Sequence, residues 1–132
     1  MTSHDRRLGN RIPLEVLMNE YMNERPYRAL TVNISETGVY VNKVVTSLSR
    51  RSRVVGLEFE LPGTAELIWA RGEICYDTID DCFHGQGIRF TGMPRVHQRL
   101  IRDYCVEKRR EQLGALLERI RKTSRSNAAS PS

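Results

Sequence analysis

Cysteine is scarce in this 132-residue chain: Cys75, Cys82 and Cys105 are the whole supply. An odd count argues against a disulfide framework, and Cys82-Phe83-His84 with the other two has no zinc-site spacing. Two of the cysteine positions suit packing in a strand or helix core. Histidine is as sparse, and neither His4 nor His97 has an evident nucleophile or carboxylate partner in the sequence. No glycine-rich phosphate loop and no triad order occur, so catalytic residues, metal ligands and cofactors are all expected to be none, and the chain does not read as an enzyme. No apolar run approaches membrane-spanning length, and no signal segment is recognisable. A soluble, cytoplasmic, single-domain protein is expected.

Charge is present but unevenly placed. The net +5 is carried by the two ends. Residues 1–11 hold three Arg and one Asp, residues 12–94 hold eight basic and eleven acidic groups, and residues 95–132 hold ten basic and four acidic groups. A basic C-terminal helix suits nucleic acid or an anionic membrane surface. A solvated helix face also accounts for it, and is the preferred reading.

From Ile12 to Phe90 the pattern is of strands with turns between them. The runs are Ile12–Glu20, Tyr27–Ile34, Val39–Val41, Val54–Leu61, Ala65–Asp77 and Cys82–Thr91, with a polar connection from Asn19 to Pro26 and a Ser/Arg-rich loop at Thr46–Ser52. Pro62-Gly63 is a turn signal and Gly72 marks a bulge or bend. Asp80-Asp81 reads as a solvated turn, and Trp69 as a buried or half-buried strand residue. Six strands without an intervening helix predict an all-β domain with a C-terminal helix, its sheet a six-stranded antiparallel β-barrel. Helical periodicity then takes over, with Pro94 at a first-turn position and Val96, Leu100, Tyr104, Leu113, Leu116, Leu117 and Ile120 at spacings of three and four. The expected divisions are an arm at 1–11, a barrel at 12–93, an amphipathic basic helix at 94–122 and a disordered tail at 123–132. The Leu113, Leu116, Leu117 and Ile120 stripe lies too far along for the barrel to cover, so a fold-back, a partner or a homodimer is expected there.

Two short motifs carry the chemistry. Arg6-Arg7-Leu8-Gly9-Asn10-Arg11 puts three guanidinium groups on an arm before the first strand, and Asn33-Ile34-Ser35-Glu36-Thr37-Gly38 lies between two strands. Guanidinium groups bind phosphate in bidentate fashion and stack on aromatic planes. Period two sets Asn33 and Ser35 on one face, opposite Ile34, while Gly38 is expected in a backbone conformation that other residues resist. Together they predict a receptor for a small anionic nucleotide. A later strand, Gly85-Gln86-Gly87-Ile88-Arg89-Phe90, places Ile88 and Phe90 inward and Arg89 outward.

In order and spacing, from about residue 5 to residue 91, these three motifs resemble the PilZ domain. Its pattern is RxxxR, often preceded by another Arg, then (D/N)xSxxG and a late GxGxxF strand. The resemblance implies a stand-alone, split-barrel-type β-barrel that binds the second messenger cyclic di-GMP without chemistry on it. Carried onto this sequence, Arg7 and Arg11 clamp phosphates and guanine, Asn33 and Ser35 bond a guanine edge or phosphate, and Gly38 shapes the turn. Arg6 matches the extra Arg that goes with two intercalated ligand molecules. Gly85 and Gly87 would leave room for a base, and Arg89 would join the site. Asn33 stands where Asp is commoner and loses a charge-assisted bond. The implied mechanism is ordering of the arm on the ligand, signalled to an unidentified protein partner in motility, biofilm or virulence control. The alternatives are an adaptor of the same fold that does not use the ligand, and a nucleic-acid or membrane-surface binder acting through the basic stretch Arg95–Arg125.

Overall fold

Period-two alternation builds the domain. In a computed structural model, residues 11–44, 53–79 and 83–129 are described. His4, Arg6, Arg7, the Thr46–Ser52 loop, Asp80-Asp81, Cys82 and residues 130–132 lie outside them. Seven strands are present: β1 (Ile12–Pro13), β2 (Leu17–Met22), β3 (Arg25–Ile34), β4 (Gly38–Val44), β5 (Val54–Glu60), β6 (Leu67–Ile79) and β7 (Phe83–Gly92). They are hydrogen-bonded in the order β1-β3-β2-β5-β6-β7-β4, and β4 returns to β3. Strands β2 to β7 therefore close into a six-stranded antiparallel barrel, as expected.

The short β1 is the start of the predicted first strand, interrupted before β2. Thr31 of β3, fully buried, staples the interruption. Its hydroxyl donates to the Leu14 carbonyl at 2.6 Å and accepts from the Val16 N–H at 2.8 Å. The backbone ladder continues across the gap through Leu14 N–H to Val32 and Thr31 N–H to Val16. The polar segment read as a longer connection is a two-residue hairpin. Met22 pairs with Arg25, and Asn23 and Glu24 take φ of 52° and 67°, the primed-turn geometry that matches strand twist.

Inward positions on every barrel strand fill the core, among them Met18, Ala29, Ile34, Val41, Leu57, Phe59, Ile68, Ile74 and Ile88. Trp69 is an exception to expectation. It lies between inward Ile68 and Ala70, so alternation turns it out, and it is 51% exposed. The interior also holds a charged pair: Glu20, at 0% exposure, meets the Lys43 ammonium at 2.9 Å. That ammonium also lies 5.6 Å from the Tyr27 ring centroid.

The helix α1 (Arg95–Ala129) begins one residue after Pro94, whose carbonyl accepts from the N–H groups of His97 and Gln98 at 3.0 Å each. It continues seven residues past the predicted end, so residues 123–129, expected as disordered tail, are helical. Ile101 and Cys105 are buried, with Leu100 and Tyr104 packed partly against the core, while residues 111–124 are all exposed. No described helix is long and apolar enough to cross a membrane.

Candidate nucleotide site

The barrel's outer face carries one row of outward positions across four strands. Asn33 on β3 is opposite Tyr40 on β4, Tyr40 is opposite Gly87 on β7, and Gly87 is opposite Tyr76 on β6. At the usual strand spacing this row spans about 14 Å. Arg11, immediately before β1, reaches the residues at both of its ends. Its Nη1 donates to Asn33 Oδ1 at 2.9 Å and its Nη2 to the Tyr76 hydroxyl at 3.4 Å. The last Arg of the first motif and the Asn of the second are thus in contact. The structure brings Arg11 and Asn33 together, whereas Arg6 and Arg7 lie outside the described residues.

The remaining motif residues build the turn beside this row. The Ser35 N–H donates to the Gly38 carbonyl at 2.8 Å, and the Ser35 hydroxyl accepts from the Thr37 N–H at 3.2 Å and lies 3.1 Å from the Thr37 hydroxyl. Ser35 is buried, held by the turn's own backbone. The Thr37 carbonyl accepts from Phe90 N–H at 2.8 Å, which ties the turn to β7. Gly38 is needed for a different reason from the one expected. Among the described residues, positive φ is found for glycine only at Gly63. At Gly38 an added Cβ would instead run into the Ile88 carbonyl oxygen, so close approach of β4 to β7 sets the requirement.

Gly85 and Gly87 do not leave space for a base. An added Cβ at Gly85 would meet the Tyr40 hydroxyl, and one at Gly87 would meet the Tyr76 ring. The two rings lie against each other, with centroids 6.1 Å apart and planes 28° apart. The glycines make room for a tyrosine pair, and Tyr76 remains 42% exposed. Sequence reading missed both tyrosines. Two outward glycines two residues apart are a gap that cross-strand aromatics fill, and that signal was available.

Arg89 is outward, as predicted, and donates to Glu73 across the β6–β7 pair at 2.5 Å. That hydrogen bond, more than any other contact, raises its guanidinium further above its ordinary range. Arg89 also lines a cleft of about 590 Å³ between the Ser35–Gly38 turn and α1, where Arg95, Arg99 and Arg102 project from successive helical turns and Glu36 is the acidic lining residue. These helix arginines recur at spacings of four and three, a periodicity read earlier only as a solvated face. Among the described residues, no cluster of three or more His, Cys, Asp or Glu is placed to hold a metal ion.

The row, the turn and the arginine cleft can hold phosphate by guanidinium, stack a planar base on Tyr76 and meet a polar base edge at Asn33. Solved structures share the fold. Inhibitor of motility (MotI/DgrA) of Bacillus subtilis superposes with a TM-score of 0.66 at 18% identity, over 79% of this chain and 50% of that one. The PilZ domain of YcgR from Escherichia coli, a structure with c-di-GMP, gives 0.58 at 10% identity, over 80% and 93%. The PlzA protein of Borreliella burgdorferi, in complex with c-di-GMP, gives 0.57 at 7% identity, over 84% and 58%. The chain thus spans about half of the MotI/DgrA chain. No curated protein sequence matches. The family model for the PilZ domain matches residues 5–107, so the chain, with its closed barrel, belongs to the PilZ domain family.

Proposed function

We propose that the protein is a cytoplasmic receptor for cyclic di-GMP that binds the dinucleotide without chemistry on it and signals to a protein partner. The observation that carries this reading is the Arg11 guanidinium, which donates at once to Asn33, 22 residues away, and to the Tyr76 hydroxyl. Three ligand functions then meet in one place. Arg11, with Arg7 and Arg6 from the preceding arm, takes phosphate and the guanine O6/N7 edge. Tyr76 offers a half-exposed ring to a guanine plane. Asn33 and the Ser35–Gly38 turn present polar groups to a base edge or phosphate. The two structural neighbours with c-di-GMP support the ligand class.

In this reading the apo contacts of Arg11 hold its guanidinium over the row before ligand arrives. Arg6 makes a second, intercalated ligand molecule the expected stoichiometry. Ordering of the arm over the row is the signal, and it requires that the ligand bind the closed arm better than the open one. The outputs are those of the family: motility, biofilm or virulence control.

Calorimetric titration with cyclic di-GMP tests it. The wild type should give saturable heat, and Arg7→Ala and Arg11→Ala should each weaken binding roughly tenfold to a hundredfold. Tyr76→Ala should cost about tenfold through lost stacking, while Tyr76→Phe retains most of the affinity. No heat from a folded wild type at near-millimolar ligand sinks the receptor reading in favour of the adaptor.

A further inference from the structure

The cleft between the Ser35–Gly38 turn and α1 is charged in a way that folding does not favour. Arg95, Arg99 and Arg102 line it from the N-terminal turns of the helix, whose first turn holds no acidic residue. A cation in the first turn, such as Arg95, opposes the positive end of the helix dipole, and like charges three and four residues apart repel. All three arginines are exposed, and among the described residues none of them forms an ion pair. Arg89 faces them from β7 but is already held by Glu73. Glu36 is the one carboxylate in the described lining. Three uncommitted guanidinium groups therefore share one concave surface of about 590 Å³.

The lining selects among anions. Its one described aromatic ring, Phe90, packs against the core and offers a base no stacking face. Duplex nucleic acid gains affinity from many phosphate contacts over a longer surface. Here the three arginines span only about 10 Å of helix. The barrel beside them is also mildly acidic, residues 12–94 carrying eleven acidic against eight basic groups. Carboxylates spaced about one helical turn apart fit better. Each guanidinium can take one in bidentate fashion, while half-buried Phe90 and Met93 offer apolar carbon to a side chain between them.

We propose that this cleft docks an acidic segment of the protein partner, a helix whose carboxylates pair with Arg95, Arg99 and Arg102. The proposal rests on the receptor reading only for there being such a partner. Glu36 and Thr37 line the cleft, and Ser35 and Gly38 close the same turn. A partner seated there touches the turn that carries the second sequence motif, beside the nucleotide row.

Fluorescence anisotropy tests it on the full chain without nucleotide, so the outcome does not depend on whether cyclic di-GMP binds. The probe is a labelled alanine-rich helical peptide with glutamates at spacings of four and three. Saturable binding that weakens as salt rises is expected. Arg99→Glu with Arg102→Glu, both at exposed positions, should weaken it by roughly tenfold or more. Arg119→Glu with Arg121→Glu makes the same change of charge about 25 Å further along the helix, beyond the Debye length, and should leave binding within about twofold. Equal losses from the two pairs overturn the cleft as the site, and a wild type that gives no signal at near-millimolar peptide overturns the proposal. Tighter binding of a single-stranded oligonucleotide of matched charge, lost with Arg99→Glu and Arg102→Glu, overturns the acidic partner in favour of nucleic acid.

Discussion

At the residue scale, the charged pair inside the barrel dominates. Glu20 is fully buried and Lys43 nearly so, and a buried charge that loses its partner is among the largest single costs in a small domain. Lys43→Met should therefore destabilise by roughly 3–5 kcal/mol, whereas Glu20→Met with Lys43→Met should recover most of the loss. Urea denaturation of the two variants decides it, and equal destabilisation would remove the pair from the account. Cys105 supplies a second residue-scale test. Burial, opposed by Arg109 and aided by Glu36, pushes its thiol from 9.0 up to about 11. The unfolded chain ionises first as pH rises, so this stability is whole below about pH 9 and is lost by about pH 11, up to about 2–3 kcal/mol. The fall in urea midpoint between those limits should be smaller in Cys105→Ala than in wild type. Of the site residues, Arg11 and Asn33 were legible because both belong to short contiguous motifs. Tyr76 was not. Plain alternation from inward Ile74 would bury it, and the register shift between Ile74 and Tyr76 turns it outward. A bulge is set by strand pairing, which a local pattern does not carry.

At the element scale, the hairpin between β2 and β3 stores removable strain. Glu24 sits at φ 67°, where a Cβ is unfavourable by about 1 kcal/mol, and the sequence Asn-Gly is the preferred filling of such a turn. Glu24→Gly should raise stability by about that amount in thermal or urea unfolding. A decrease would mean that the turn's side chain does more than occupy it. Asn-Glu is a weak turn signal, which is why the sequence suggested a longer connection there. The strands themselves were readable from alternation alone, with Trp69 misjudged because aromatic bulk was given more weight than its place between Ile68 and Ala70. The end of α1 was misread for a similar reason. Thr, Ser and Asn are poor helix formers on average, yet the helix carries them through to Ala129.

Considered as a whole, the molecule divides at about Arg110 of α1. Before it the helix caps the barrel, and after it every side chain up to Ser124 is exposed. A chain ended after Arg110 should keep the barrel's cooperative unfolding, with a melting temperature lowered by about 5 °C or less. A collapse of the transition on this truncation would show that the distal helix supports the core. The barrel and the family were legible because local alternation and three spaced motifs suffice for them. The arginine cleft was not, since it exists only once the helix is laid beside the Ser35–Gly38 turn.

The row from Asn33 through Tyr40 and Gly87 to Tyr76 joins two pairs of consecutive strands, β3–β4 and β6–β7, that are far apart along the chain. Anything bound along it spans β3, β4, β7 and β6 together, like a clasp across a closed cylinder. Amide hydrogen exchange should then slow on all four strands at once rather than only near the points of contact, because opening any one of them would first require the clasp to leave.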